Sequence, residues 1–114
     1  MKTTVIIGKP GSGKNLKVSE LTVDKSCIHL DAENLNNKSA FAELIEKHNI
    51  VVVDEVTNKL DIITRLQAII LEGKILYRKP YSSEQKEHEL DELFILSQEE
   101  LELKLNEGDE LIRL

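Results

Sequence analysis

Tryptophan is absent, and Phe and Tyr together supply only 4% of the residues, so an aromatic interior is excluded. Aliphatic Leu, Ile and Val must fill any core. Cysteine occurs once, at Cys27, which rules out an internal disulfide and fits a reducing compartment. Positive charge is in deficit: 15 Lys and Arg face 21 Asp and Glu, for a net charge of −6. A free-standing nucleic-acid binder needs a basic face, so this balance disfavours that class, although it leaves room for a local basic strip. Long apolar runs are missing too, and none approaches the ~20 residues of a spanning helix. The first apolar run is four residues long, too short for a signal peptide, and the expected location is the cytoplasm. What is present is a chain of 114 residues, 40% apolar and 32% charged, which suits one globular domain over 1–114.

The most informative stretch is Gly8-Lys9-Pro10-Gly11-Ser12-Gly13-Lys14-Asn15. It follows the β-branched run Thr4-Val5-Ile6-Ile7 and leads into a segment able to turn helical. Glycines without Cβ atoms let the backbone wrap closely and aim successive N–H groups at an anion. The helix start behind the loop adds unpaired N–H groups and the positive end of its dipole. Lys14 supplies a mobile charge for β- and γ-phosphates. The competing reading is a glycine-rich turn with a solvated lysine.

Along the chain, residues 3–7 read as a buried strand, and 14–21 as a short helix with Leu16 and Leu21 inward. Cys27-Ile28-His29-Leu30 forms a second strand, with Cys27 in the core. Ser39 caps a helix of about ten residues carrying Ala40, Phe41, Leu44 and Ile45 on one stripe. Ile50-Val51-Val52-Val53 lacks alternation, as expected of a strand covered on both faces. A helix at about 58–72 turns Leu60, Ile63, Leu66 and Ile70 inward, and Gly73 stops it. Lys74-Ile75-Leu76-Tyr77 reads as a strand, and 82–92 as a loop or short exposed helix with Ser82 and Gln85 as a capping box. Leu93-Phe94-Ile95-Leu96 is a buried strand. Ser97 with Glu100 predicts a helix through about 105, and Leu111-Ile112-Arg113-Leu114 is the last strand. Alternating strands and helices predict a parallel α/β sheet with right-handed crossovers.

Asp54-Glu55 closes the most apolar strand, about 40 residues after Lys14. In a parallel sheet, strand C-termini gather at the rim where ligands bind. A carboxylate there can hold a magnesium water shell beside phosphates, and the next one can polarise an attacking water as general base. His29, His48 and His88 lack ligand spacing. Asp31 and Glu33 read first as loop residues. Lys74, Arg78 and Lys79 beside Tyr77 form a small basic cluster, of a kind that contacts single-stranded nucleic acid when an aromatic platform accompanies it.

The G-x-x-x-x-G-K spacing resembles the Walker A loop of P-loop nucleotide triphosphatases, and the apolar strand ending in Asp54-Glu55 resembles their Walker B element. The family places Ser or Thr after the lysine. Here Asn15 offers an amide oxygen, which can ligate a hard cation but is longer than a hydroxyl. More narrowly, the chain looks like a pared-down core of AAA+ or superfamily-three helicase ATPases. That resemblance implies a three-layer α/β/α P-loop fold with a mostly parallel five-stranded sheet in the order 5-1-4-3-2. It implies ATP and Mg²⁺ as cofactors, with Gly8 to Asn15 and a sensor at Ser97 or Gln98 around the nucleotide. Asn15 and Asp54 would set the metal, and Lys14 and Glu55 would be catalytic. No arginine finger stands out among Arg65, Arg78 and Arg113; in this family it often comes from a neighbouring subunit, so a homo-oligomer or protein partner is implied. The expected activity is slow ATP hydrolysis. A non-catalytic nucleotide-binding module, favoured by Asn15, is the alternative. A small metabolite kinase is a third reading, opposed by the missing lid.

Overall fold

The structure, a computed structural model, describes residues 1–36 and 42–114. In chain order the elements are β1 (Lys2–Ile7), α1 (Lys14–Leu21), β2 (Ile28–Asp31), a 3₁₀ turn (Ala32–Asn36), α2 (Ala42–Ile45), β3 (Ile50–Val56), α3 (Leu60–Glu72), β4 (Lys74–Arg78), β5 (Gln85–Glu89), β6 (Glu92–Ser97) and β7 (Glu110–Arg113). Five strands form one sheet in the order β2-β3-β6-β1-β7, and every neighbouring pair is parallel. Among the described residues, strands β4 and β5 pair only with each other, antiparallel. The numbering of the order therefore differs from the expected 5-1-4-3-2, because two strands form outside the sheet and shift the count.

Alternation along the strands divides the core. Val5, Val51, Val53, Leu93 and Ile95 face one side, where Ile45 of α2 and Ile62, Leu66, Ile69 and Ile70 of α3 cover them. Ile6, Ile50, Val52, Phe94 and Leu96 face the other side with Val18 of α1. A strand buried on both faces has no polar face to show, which explains the unbroken run at 50–53.

Several inward assignments shift. In α1, Leu16 is 65% exposed, and Val18 is the buried residue instead. In α3, Leu60 at the start of the helix is 82% exposed, and Ile62 and Ile69 join Leu66 and Ile70 in the core. Gly73 ends α3 in the left-handed region at φ 73°, its N–H donating to Ile69 O, as its position predicts. In α2, Ile45 is buried and Leu44 exposed. Ser39, Ala40 and Phe41 lie outside the described residues.

Two segments differ in type. Residues 85–89 are a strand, not a loop or helix, and Ser82 Oγ accepts the Glu84 N–H at 3.2 Å in a local turn instead of capping a helix. Residues 98–105 contain no helix. Leu101, Leu103 and Leu105 repeat every second residue and pack on the core, a period that fits an extended chain and defeats a helix. Two side-chain amides grip this strap. Asn58 Nδ2 donates to Glu100 O (2.8 Å) while its Oδ1 accepts the Glu102 N–H (2.9 Å). Gln67 Nε2 donates to Lys104 O (2.9 Å) and its Oε1 accepts the Lys104 N–H (2.8 Å). Among the described residues no helix is long and apolar enough to cross a membrane.

Candidate functional site

Register places the loop and the acidic pair at one rim. Ile7 pairs with Ser97 on one side and Arg113 on the other, so the C-terminal ends of β1, β6 and β7 are level. The ladder continues one step, with Gly8 N–H donating to Ser97 O at 3.0 Å. Strand β3 lies on the far side of β6, and Asp54 pairs with Asp31 of β2.

Between Val53 and Val56 the β3–β6 register slips: Val53 pairs with Ile95, but Val56 pairs with Ser97. Three steps on β3 thus match two on β6, which is a bulge. Regular alternation would send the side chains of Asp54 and Glu55 to opposite faces. The extra residue, with Glu55 in the left-handed region at φ 57°, breaks that alternation, and both residues line one cleft. Asp54 Oδ1 accepts the Glu55 N–H at 2.8 Å and holds the bend. A left-handed non-glycine residue costs about 1–2 kcal/mol.

The glycine loop turns at Gly11 and Gly13, at φ 79° and 93°. A Cβ on Gly8 would lie 2.3 Å from Ser12 Oγ, so the loop folds tightly over its own first residue. Gly13 caps α1 without a side-chain bond, and the Lys17 N–H donates to its carbonyl at 2.9 Å. The N–H groups of Lys14, Asn15 and Leu16 belong to the first helical turn, which has no helical acceptors for them. Lys14 Nζ folds back and donates to Gly8 O (2.7 Å) and Lys9 O (3.0 Å). Nothing crowds a Cβ at Gly13, so Gly13→Ala meets only the left-handed backbone penalty. We expect a loss of about 1–2 kcal/mol in a urea melt, with no change in oligomeric state.

The cleft has a volume of about 500 Å³ and is lined by Lys14, Asp54, Glu55, Val56, Thr57, Leu96, Ser97, Gln98 and Glu99. Lys14, the acidic pair and both sensor candidates from the sequence therefore share one space. Asn15 is not among its lining residues; its carbonyl accepts the Ser19 hydroxyl at 3.1 Å. Thr57 and Glu99 were not legible as site residues. Glu99 falls in the segment read as a helix, and Thr57 reaches the rim only through the bulge. The ionisable lining is one ammonium against three carboxylates. An anion entering such a space meets net repulsion from the lining carboxylates. Among the described residues no group of three His, Cys, Asp or Glu is placed to hold a metal ion by itself.

The two sensor candidates differ. Ser97 is buried, its hydroxyl donates to Val56 O at 2.7 Å, and the same oxygen accepts the Glu99 N–H at 3.2 Å. That hydroxyl closes the bulge, which leaves Gln98 as the freer amide. Ser97→Ala should therefore cost about 1–3 kcal/mol of stability by orphaning a buried carbonyl, measured by urea unfolding.

No arginine lines the cleft. Arg113 makes a two-pronged pair with Glu100, and Arg65 Nη2 donates to Leu76 O at 2.8 Å. Tyr77 cannot serve as a stacking platform. It is buried, and its hydroxyl donates to Glu46 Oε1 at 2.8 Å. Burial raises the Tyr77 phenol above its ordinary value, and the Glu46 bond adds to this. Among the described residues the exposed aromatic is Tyr81, between β4 and β5.

No family model matches the sequence, and no curated protein matches it. Among solved structures, the apo A-form structure of the NrS-1 C-terminal region is similar, with a TM-score of 0.62 and 20% sequence identity. The match covers 98% of this chain and 28% of that one, so this chain corresponds to little more than a quarter of its neighbour's length. At that identity the likeness is one of fold.

Proposed function

We propose that this chain is an ATP-binding P-loop domain that hydrolyses ATP slowly with Mg²⁺, of the AAA+ and replication-helicase type, working beside partner subunits. One observation carries the reading: Lys14, from the glycine loop, and the Asp54-Glu55 bulge line the same cleft at the C-terminal rim of a parallel sheet. On this reading the sheet, with α1 over one face and α2 and α3 over the other, is a three-layer P-loop arrangement.

The residues divide the work by their chemistry. The Gly8 to Asn15 backbone and Lys14 hold the β- and γ-phosphates. Asp54 holds the magnesium shell, with Asn15 as the other candidate. Bound Mg²⁺ supplies charge neutralisation across the phosphates. Glu55 orients a water and takes its proton, and Gln98 or Ser97 reads the γ-phosphate. Without an arginine in the cleft the isolated domain turns over slowly, since an arginine supplied by a neighbour is worth about 10³–10⁵ in rate. Calorimetric titration of ATP with and without Mg²⁺, followed by a phosphate-release assay, tests this. Magnesium-dependent binding with measurable release supports hydrolysis; absence of binding overturns the reading.

The second reading is a nucleotide-responsive module without catalysis. The observation in its favour is Asn15, which replaces a hydroxyl residue and does not line the cleft. It predicts binding that is indifferent to Mg²⁺ and negligible phosphate release.

A further inference from the structure

We propose that the groove between α3 and β4 binds a small monocarboxylate with an apolar body, its charge seated on Arg65. The groove shares no lining residue with the cleft, so the inference does not depend on the nucleotide reading.

Helical spacing builds one wall: positions 61, 65, 68, 69 and 72 of α3 fall on one stripe, opposite Lys74 and Leu76 of β4. The groove holds about 420 Å³, a size that suits a small ligand. Arg65 lies partly buried at its middle. Burial lowers the guanidinium below its ordinary pKa, and no carboxylate offsets that loss. One N–H of Nη2 donates to Leu76 O at 2.8 Å, while Nε is buried without an acceptor. A desolvated cation without a counter-ion is costly, and an anion meeting the remaining N–H groups of the fork relieves that cost.

The neighbouring groups set the ligand's charge. Lys74 is already compensated: its Nζ lies 3.0 Å from Glu87, and Glu72 adds a weaker attraction. Asp61 turns Oδ1 to its own helix, accepting the Ile62 N–H at 2.9 Å. The uncompensated charge of the groove is therefore the single one on Arg65, with a carboxylate at each end of the stripe. One ligand carboxylate matches it, offering two oxygens to a planar fork. A polyphosphate or a nucleic-acid backbone would set surplus negative charge against Asp61 and Glu72. Ala68, Ile69 and Leu76 supply an apolar wall for the ligand's body. Arg65 already occupies Leu76 O, which disfavours a peptide strand adding to β4 at this point and favours a small molecule.

An NMR titration of the full chain tests this, with phenylacetate and octanoate as probes. Both should shift the backbone amides of Arg65, Ala68 and Leu76 saturably, with millimolar or tighter affinity, as expected for ligands of this size. Phenylacetamide keeps the shape without the charge and should bind about 10-fold more weakly or worse. Arg65→Gln should weaken phenylacetate by the same factor. Ala68→Phe, at an exposed position, should fill the groove and abolish binding while the protein stays folded. The second variant keeps the test decisive if the first fails to fold. Absence of saturable shifts with both probes overturns the proposal, as does equal binding of acid and amide. So does a folded variant of either kind that binds as wild type. Shifts centred on Lys14 and the glycine loop also overturn it, since they would place the carboxylate in the cleft.

Discussion

We expect Lys14→Ala to lower the affinity for ATP at least about 100-fold in calorimetry, through loss of charge-assisted bonds to phosphate worth up to about 3 kcal/mol each. The expectation rests on where the ammonium sits. Lys14 Nζ is held inside the glycine loop by Gly8 O and Lys9 O, at 2.7 and 3.0 Å. Those carbonyls keep the cation over the same concavity that the Gly11 and Gly13 turns create. Among the described residues it is also the only cation lining the cleft, set against Asp54, Glu55 and Glu99. With alanine the cleft becomes purely acidic and repels a triphosphate. The fold should survive, because the bonds lost are those of one partly exposed side chain. A folded Lys14→Ala protein that binds ATP as tightly as wild type would refute the nucleotide site.

We expect Glu55→Gln to leave ATP binding within a small factor of wild type and to slow phosphate release by about 10²–10⁴, the usual worth of a general base. Glutamine keeps the length and shape of glutamate and loses only its basicity. Its left-handed backbone strain is similar, so the bulge and the Asp54 bond to the residue-55 N–H persist. A variant that hydrolyses at the wild-type rate would take the base role from Glu55 and leave Glu99, the other glutamate lining the cleft, as the next candidate. A variant that fails to bind would instead make Glu55 a structural part of the rim.

Periodic segments were legible in the residues. The helix at 14–21, the helix stopped by Gly73 and the apolar strands at 50–53 and 93–96 all appear where pattern and capping put them. The errors share a cause. Leu16 and Leu60 are apolar and helical, yet both face solvent, because helix position relative to the sheet, not hydrophobicity, decides which stripe is covered. Ser97 and Glu100 satisfy the spacing of a capping box, but the amides of Asn58 and Gln67 lie about 40 residues away in the chain and hold the strap extended. Ser82 and Gln85 fail in the same way, since Gln85 opposes Arg78 in the hairpin. A local signal loses when a distant partner satisfies the same backbone groups better.

By itself the sequence determined that there is a glycine loop after a buried strand, an acidic pair after another, and an aliphatic core without disulfides. Those follow from residue type and short-range spacing, which act before any contact forms. Only the tertiary structure decided that Asp54 and Glu55 share a cleft with Lys14, that Ser97 spends its hydroxyl on Val56, and that residues 74–89 stand outside the sheet as a hairpin with opposite charges on its two edges. The reason is register. One extra residue on β3 against β6 redirects two side chains, and no pattern within a single strand encodes how its neighbour will align with it.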